Sequence, residues 1–298
     1  MQQRPLGNTG LMVSEIGLGA AQIGEDQAVP KKQVEAVLNQ ALDLGINFID
    51  TAAMYGKSET HIGKFISHRK DEFILATKCG DYEIWENGKR KIIKDYTPDG
   101  ILKTIDASRK KLNMDVLDIV QFHSIPGESD NSEAAFEALL EAKHKGWTRF
   151  VGISQDGPRG AQASAKWPLD AQEFTYNILY QEADEILFPT LRDRQMGAII
   201  KRPISNAVWQ LTEKPDGSFM GGPWERSQTF PLAELAGDMP LIEFALRFTL
   251  SHPNVSTAIV GTTNPDHIAA NVRISDGQKL PDEILQKTKQ AFTERFQS

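Results

Sequence analysis

A chain of 298 residues, 40% hydrophobic and 24% charged, has the composition of an ordinary globular protein, long enough for one large domain or two modest ones. Its net charge of −7 argues against a nucleic-acid partner, whose binding depends on clustered Lys and Arg. A short basic run, Lys89-Arg90-Lys91 with Lys94, is flanked by Glu86 and Asp95 and is expected to be a solvated loop.

Residues 1–13 carry Gly7-Asn8-Thr9-Gly10 between apolar residues, a hairpin turn signature expected to plug a barrel floor. The same N-terminus lacks the apolar core of a signal peptide. Strand-like runs follow at roughly 15–20, 46–50, 73–78, 117–122, 148–153, 170–175, 197–201 and 256–260. Most are rich in Ile, Val, Leu or Phe, as expected of strands covered on both faces. Amphipathic stretches at 31–44, 58–68, 100–112, 131–145 and 240–252 alternate with them. In the first, Val34, Val37, Leu38, Ala41 and Leu42 repeat with helical spacing, and Gly45 stands where a left-handed residue ends a helix. Thr97-Pro98 predicts an N-cap followed by Pro at the first helical position. Residues 202–239 form a long Gly/Pro-interrupted insertion with Trp209, Phe219 and Trp224, and 281–298 predict a C-terminal helix.

Eight β-α repeats in about 260 residues predict an α/β fold: a (β/α)8 TIM barrel with an N-terminal β-hairpin and extra helices, in one domain over 1–298. A doubly wound nucleotide-binding sheet is the rival. It would favour G-x-G-x-x-G or G-x-G-x-x-A after an early strand, but Gly17-Leu18-Gly19 is followed by Gln22 at the third position. No stretch approaches the roughly 20 apolar residues of a membrane span, so no membrane partner is expected. Cys79 is the lone cysteine, which permits no intrachain disulfide and fits a reducing, cytoplasmic setting, with the thiol as buried filler. The histidines at 61, 68, 123, 144, 252 and 267 show no close pair with ligand spacing on strand ends, so no metal site is expected.

Four polar residues stand out against this frame: Asp50, Tyr55, Lys78 and His123. Asp50, Lys78 and His123 each close an apolar run, which places them at strand C-termini, the face where parallel barrels gather catalytic groups. A phenol, an ammonium, a carboxylate and an imidazole together can protonate a carbonyl oxygen while another agent supplies hydride. Lys78 is expected to lower the Tyr55 pKa toward the operating pH, Asp50 to keep Lys78 charged, and His123 to donate a hydrogen bond to the carbonyl oxygen. Taken singly, Asp50 with Lys78 is equally a structural ion pair, His123 is more often a satisfied interior histidine and Tyr55 is usually a packing residue; their joint placement favours the chemical role.

The motifs that carry these residues resemble the aldo-keto reductase superfamily nearly end to end. Arg4 through Gly10 and Val13 through Gly19 are similar to its hairpin and first strand, and Asn47-Phe48-Ile49-Asp50-Thr51-Ala52 with Tyr55-Gly56-Lys57-Ser58-Glu59 to its principal signature. Leu117 through His123, Val151-Gly152-Ile153-Ser154, and Ile259 through Pro265 resemble its fourth, fifth and eighth strands. The resemblance implies a tetrad at Asp50, Tyr55, Lys78 and His123, and an NAD(P)H-dependent reductase with Tyr55 as proton donor to an aldehyde or ketone.

It also implies cofactor contacts. Ser154 and Gln155 would face the nicotinamide carboxamide, with Gln155 where the family usually has Asn. Glu173 stands where Gln is common. Lys201 replaces the aromatic ring that many members stack on the nicotinamide, so Lys201 or Arg202 would cover that ring or meet pyrophosphate. Around the 2′-phosphate, Gly261 and His267 stand where NADPH-selective members place Lys and Arg, leaving Thr262, Thr263, Asn264 and Asn271. NADPH is the expected cofactor, with NADH as the alternative. Met54, Trp85, Trp209, Phe219 and Trp224 are the expected substrate wall, fitting a small carbonyl compound with an apolar or aromatic body. A monomer is the family-weighted expectation. The competing function is a nucleotide-binding regulatory or sensor protein on the same fold with little turnover.

Overall fold

The computed structural model describes residues 1–24, 29–127, 132–216 and 219–297. Two short antiparallel strands come first, β1 (Gln3–Pro5) and β2 (Met12–Ser14). Eight parallel strands then close a barrel: β3 (Ile16–Gly19), β4 (Phe48–Asp50), β5 (Ile74–Cys79), β8 (Leu117–Phe122), β9 (Thr148–Ser154), β10 (Ala171–Thr175), β11 (Gly197–Lys201) and β12 (Thr257–Gly261). β12 pairs back onto β3, so no edge remains. Each of the eight expected runs falls on one of these strands. The two missing numbers belong to a separate hairpin, β6 (Asp81–Glu86) and β7 (Lys89–Lys94), between β5 and the helix after it.

Helices cover the barrel: α1 (Lys31–Asp43), α2 (Ser58–Phe65), α3 (Pro98–Leu112), α4 (Ser132–His144), α5 (Gly157–Lys166), α6 (Ala183–Ile186) and α7 (Phe188–Asp193). After β11 come α8 (Gly221–Thr229), α9 (Leu232–Ala236) and α10 (Leu241–Ser251), and after β12 come α11 (Pro265–Ile274) and α12 (Asp282–Phe296). On α1 the buried residues are the five that repeat with helical spacing, and Gly45 follows at φ +87. Thr97 accepts a hydrogen bond from the Gly100 amide at 3.1 Å and so caps α3, with Pro98 at its first position.

The opening hairpin closes the barrel floor. Leu6, Leu11 and Val13 are buried in one apolar cluster with Phe48, Ala76, Ile119, Ala171, Ile199 and Ile259, which point inward from β4, β5, β8, β10, β11 and β12. Gly7 sits at φ +53 against β11; a Cβ there would lie 2.4 Å from the Gly197 nitrogen, so only glycine lets the turn tuck under the strand. Arg4 anchors the plug with an ion pair to Glu15 at 2.7 Å and a hydrogen bond to the Leu250 carbonyl at 2.7 Å.

Two expectations need correction. Residues 89–94 are not a loop but β7, paired with β6 through a turn at Asn87 (φ +52) and Gly88 (φ +72). That dipeptide is a strong two-residue hairpin signal, and the surrounding charge hides it. The expected helix at 58–68 ends as α2 at Phe65, and a 3-10 segment, Ser67–Glu72, follows it. The 202–239 insertion folds as a 3-10 segment, Ser205–Gln210, then α8 and α9. Among the described residues no helix is long and apolar enough to cross a membrane.

Candidate active site

The barrel's hydrogen-bond ladder continues past the strand ends and sets the four polar residues side by side. The Thr51 amide donates to the Ala76 carbonyl at 2.8 Å, Ala53 to Lys78 at 3.3 Å, and His123 to Cys79 at 3.0 Å. Tyr55 is turned back by its own amide, which donates to the Ala52 carbonyl at 3.0 Å. The result is one cluster. Lys78, with no exposed surface, donates to both Asp50 carboxylate oxygens at 2.6 and 2.5 Å and to the Thr51 carbonyl at 3.2 Å. Its ammonium also lies 5.3 Å from the centre of the Tyr55 ring. Tyr55 and His123 meet edge to face, with ring centres 5.3 Å apart.

Glu173, at the third position of β10, joins them: its carboxylate lies 3.0 Å from the Lys78 ammonium and accepts from the Gln121 side-chain amide at 3.2 Å. Two buried carboxylates therefore flank one buried ammonium, and this decides the electrostatics. Burial works against the Lys78 charge, but Asp50 and Glu173 more than offset it and hold the ammonium well above the ordinary lysine range. Burial, followed by the Glu173 charge, pushes Asp50 up to about 8 despite Lys78. Burial opposes ionisation of Glu173 too, yet the Lys78 and Lys201 charges keep it below the usual carboxylate range.

The Tyr55 phenol departs from the expected direction. Burial pushes it up to about 12; Lys78 pulls down through charge and hydrogen bonding, while Asp50 and Glu173 push up again. An ammonium shared between two anions exerts too weak a net field to bring the phenol toward neutrality. His123 is drawn down to about 3, first by burial and then by the Lys78 charge, so its imidazole is neutral at ordinary pH. Its Nδ1 is buried without a hydrogen-bond partner among the described residues. Burial likewise pushes up the Cys79 thiol, which is an inert filler behind the site.

The neutral histidine carries a stability prediction. In the unfolded chain its pKa is about 6.5, and in the fold about 3. Between those values the unfolded state binds the extra proton, so stability is complete above pH 6.5 and is lost as pH falls toward 3. The His123 share of that loss is about 3 kcal/mol at pH 4.5. His123→Gln should flatten this acid limb in urea unfolding at pH 7 and pH 4.5. An unchanged pH dependence would contradict it.

A cleft of about 990 Å³ opens over the cluster. Asp50, Tyr55, His123, Glu173, Lys201, Arg202, Met54 and Trp85 all line it, with Lys78 buried behind. Lys201 donates to the Ser154 hydroxyl at 3.2 Å and faces Asp156 at 3.7 Å, so Ser154 reaches the site through Lys201. The Arg202 guanidinium stacks over the Phe219 ring, 4.6 Å from its centre. Gln155 departs from expectation: its side chain accepts from the Ile125 amide at 3.3 Å and donates to the Asp156 carbonyl at 3.1 Å, tying loops together outside the cleft lining.

The β12–α11 turn lies beyond Gly261, which lines the cleft edge. There the Thr262 hydroxyl accepts from the Asn264 amide at 3.0 Å and lies 3.2 Å from His267 Nδ1, while the Thr263 carbonyl accepts from Gln33 at 2.7 Å. His267 is exposed and Asn271 buried, and none of Thr262, Thr263, His267 and Asn271 reaches the cleft wall. Trp209 and Trp224 do not line it either. Both pack against the core, and the Trp224 indole donates to the Leu211 carbonyl at 3.3 Å, so they anchor the insertion.

Other residues take their place. Glu83 and Arg90 on the β6–β7 hairpin face the cleft beside Trp85; Glu83 accepts from Arg90 at 2.5 Å and from the Trp85 indole at 2.7 Å. Arg90 also donates to the Met54 carbonyl at 2.8 Å, which ties the hairpin to the residue before Tyr55. From the insertion come Ile204, Asn206, Ala207, Phe219 and Met220. Asn206 and Ala207 both hold φ +53, so the backbone rather than a predicted side chain shapes that wall. Of these, Phe219 was expected from the sequence, and the Asn87-Gly88 turn carried the signal of the hairpin.

A closed parallel barrel whose strand ends gather a tyrosine, a buried lysine–carboxylate cluster and a neutral histidine around one large cleft belongs to the barrel oxidoreductases. The Aldo/keto reductase family profile matches residues 15–291, and the chain belongs to that family. It is 28% identical to an uncharacterized oxidoreductase of Bacillus subtilis, covering 99% of this chain and 97% of the other. It is 30% identical to an L-galactose dehydrogenase of Arabidopsis thaliana over 91% of this chain and 87% of that one. Among solved structures, the holo form of an aldo-keto reductase from Bacillus halodurans superposes with a TM-score of 0.82 at 27% identity, covering 98% of this chain and 96% of the other.

Proposed function

We propose that this oxidoreductase reduces aldehydes or ketones at the expense of a reduced nicotinamide nucleotide, with Tyr55 as the proton donor. The observation that carries this reading is the convergence of Tyr55, His123 and the Lys78–Asp50 pair on one cleft. The cleft suits such a cofactor: it runs from Gly261 and Lys201 to Tyr55, holds the Lys201 and Arg202 cations on one side, and borders a buried His123 nitrogen that lacks a partner. Lys201 and Arg202 would hold pyrophosphate, Glu173 would meet the carboxamide, and Ser154 would act through Lys201. When bound, such a nucleotide would supply the hydride for the carbonyl carbon. The chain's own residues do the rest. His123, neutral, donates to the carbonyl oxygen and orients it; Tyr55 transfers its hydroxyl proton to that oxygen as negative charge develops. Lys78 stabilises the phenolate left behind, and Asp50 holds Lys78 in place.

The substrate class follows from the wall. Met54, Trp85, Ile204, Phe219 and Met220 make an apolar lining around the polar centre, which fits carbonyl compounds with an aromatic or apolar body. Incubation with reduced nucleotide and a carbonyl panel should oxidise the nucleotide fastest with aromatic aldehydes. Nucleotide binding without turnover on any member would defeat the reductase reading, and comparable rates on a sugar phosphate would defeat the substrate class.

NADPH is the preferred nucleotide in this proposal, its 2′-phosphate meeting hydroxyls and amides of residues 262–267 where α11 opens. The preference is small. Neither Lys nor Arg stands in that turn, and Asn264 already caps the Asp266 amide at 3.0 Å. Fluorescence titration should give dissociation constants for NADPH and NADH within about tenfold of one another, NADPH the tighter. Markedly tighter NADH would overturn the choice.

A further inference from the structure

Glu173 has no counterpart in the four-residue device, yet it touches its central member. Lys78 has three N–H donors, and four oxygens already compete for them: both oxygens of Asp50, the Thr51 carbonyl and Glu173. Gln121, wholly buried on β8, donates its amide to the same Glu173 oxygen, as it would to a carboxylate held in its charged form. The charged and titratable groups around Glu173 are Lys78 on β5, Asp50 on β4, Lys201 on β11, His123 beyond β8, and Tyr55. Lys201 is itself committed to Ser154 and Asp156. Above about pH 8, where Asp50 too is ionised, the Lys78–Asp50–Glu173 cluster thus holds one cation against two anions next to the Tyr55 phenol. A neutral amide of the same shape would leave one cation against one anion.

Resting on the reductase reading, we propose that Glu173 is a positioning residue, a second counter-ion of Lys78 that withholds its charge from Tyr55 and biases the site toward carbonyl reduction over alcohol oxidation. The reason is the direction of proton flow. In reduction Tyr55 gives up a proton; in oxidation of the alcohol it must first be phenolate to accept one. A second anion disfavours the phenolate, so oxidation waits for alkaline pH while reduction keeps its donor over the whole neutral range. The upward displacement of the Tyr55 phenol agrees with this.

Glu173→Gln keeps the shape and removes the charge. In nucleotide-free protein labelled with carbon-13 at the tyrosine Cζ, the Tyr55 signal, assigned by its loss in Tyr55→Phe, should titrate about one pH unit lower than in the parent. In the complete enzyme the alkaline rise of alcohol oxidation should move down by the same interval. The oxidation-to-reduction ratio of kcat at pH 8 should then rise about tenfold, with KM for the carbonyl nearly unchanged. Glu173→Asp keeps the charge and should titrate with the parent. Unmoved titration in Glu173→Gln, with only nucleotide affinity altered, would overturn the proposal, as would an Asp variant that titrates with the Gln one. The nuclear resonance titration needs no turnover, so a protein that reduces no carbonyl refutes the reductase reading without deciding this one.

Discussion

Tyr55→Phe is expected to lower kcat for carbonyl reduction by about 10²–10⁴-fold while leaving nucleotide affinity within about twofold. The phenol hydroxyl lines the cleft and can release a proton while leaving its charge beside an ammonium, whereas His123 is neutral and Lys78 is buried behind it. Phe keeps the ring that packs edge to face on His123 and under the Lys78 cation, so the fold and the nucleotide groove should survive. Single-turnover measurements with saturating reduced nucleotide check this. A Phe variant with more than a tenth of the parent rate would mean that another group, or water, protonates the substrate.

Lys78→Met should do more damage, because it strikes both stability and chemistry. Methionine fills a similar volume but strands Asp50 and Glu173, two buried carboxylates that face each other across the missing charge. Breaking a buried ion pair by removing one partner costs about 3–5 kcal/mol, since the remaining charge lacks both water and counter-ion. The urea midpoint at pH 7 should fall accordingly, and turnover should drop below detection. Neutralising both acids in the same chain, as Lys78→Met with Asp50→Asn and Glu173→Gln, should recover most of the stability and none of the activity. Stability of the single variant within about 1 kcal/mol of the parent would contradict this.

The legibility of the site followed the reach of each signal. Asp50, Lys78 and His123 end apolar runs, so their places at strand ends were local facts. Parallel pairing turned three local positions into one cluster, through bonds such as the His123 amide to the Cys79 carbonyl. Trp209 and Trp224 mark the opposite case. An aromatic residue in an insertion has no periodicity to give its direction, and both pack half-buried against the core where the sequence suggested a pocket wall. Gln155 stayed beside the right strand, yet its amide was recruited by the Ile125 backbone nitrogen, a partner 30 residues away. The β6–β7 hairpin was readable in principle at Asn87-Gly88, but the charge of Lys89, Arg90, Lys91 and Lys94 pointed to solvent.

By itself the amino-acid order determined the barrel, its floor plug and the chemical types at the strand ends, because short-range periodicity and capping dictate elements and parallel closure leaves few ways to join eight of them. Tertiary structure alone decided the charge state of the site. Glu173 and Lys78 are 95 positions apart in sequence but 3.0 Å apart in space, and the acidity of the phenol depends on that distance and on exclusion of water, neither of which a local pattern encodes.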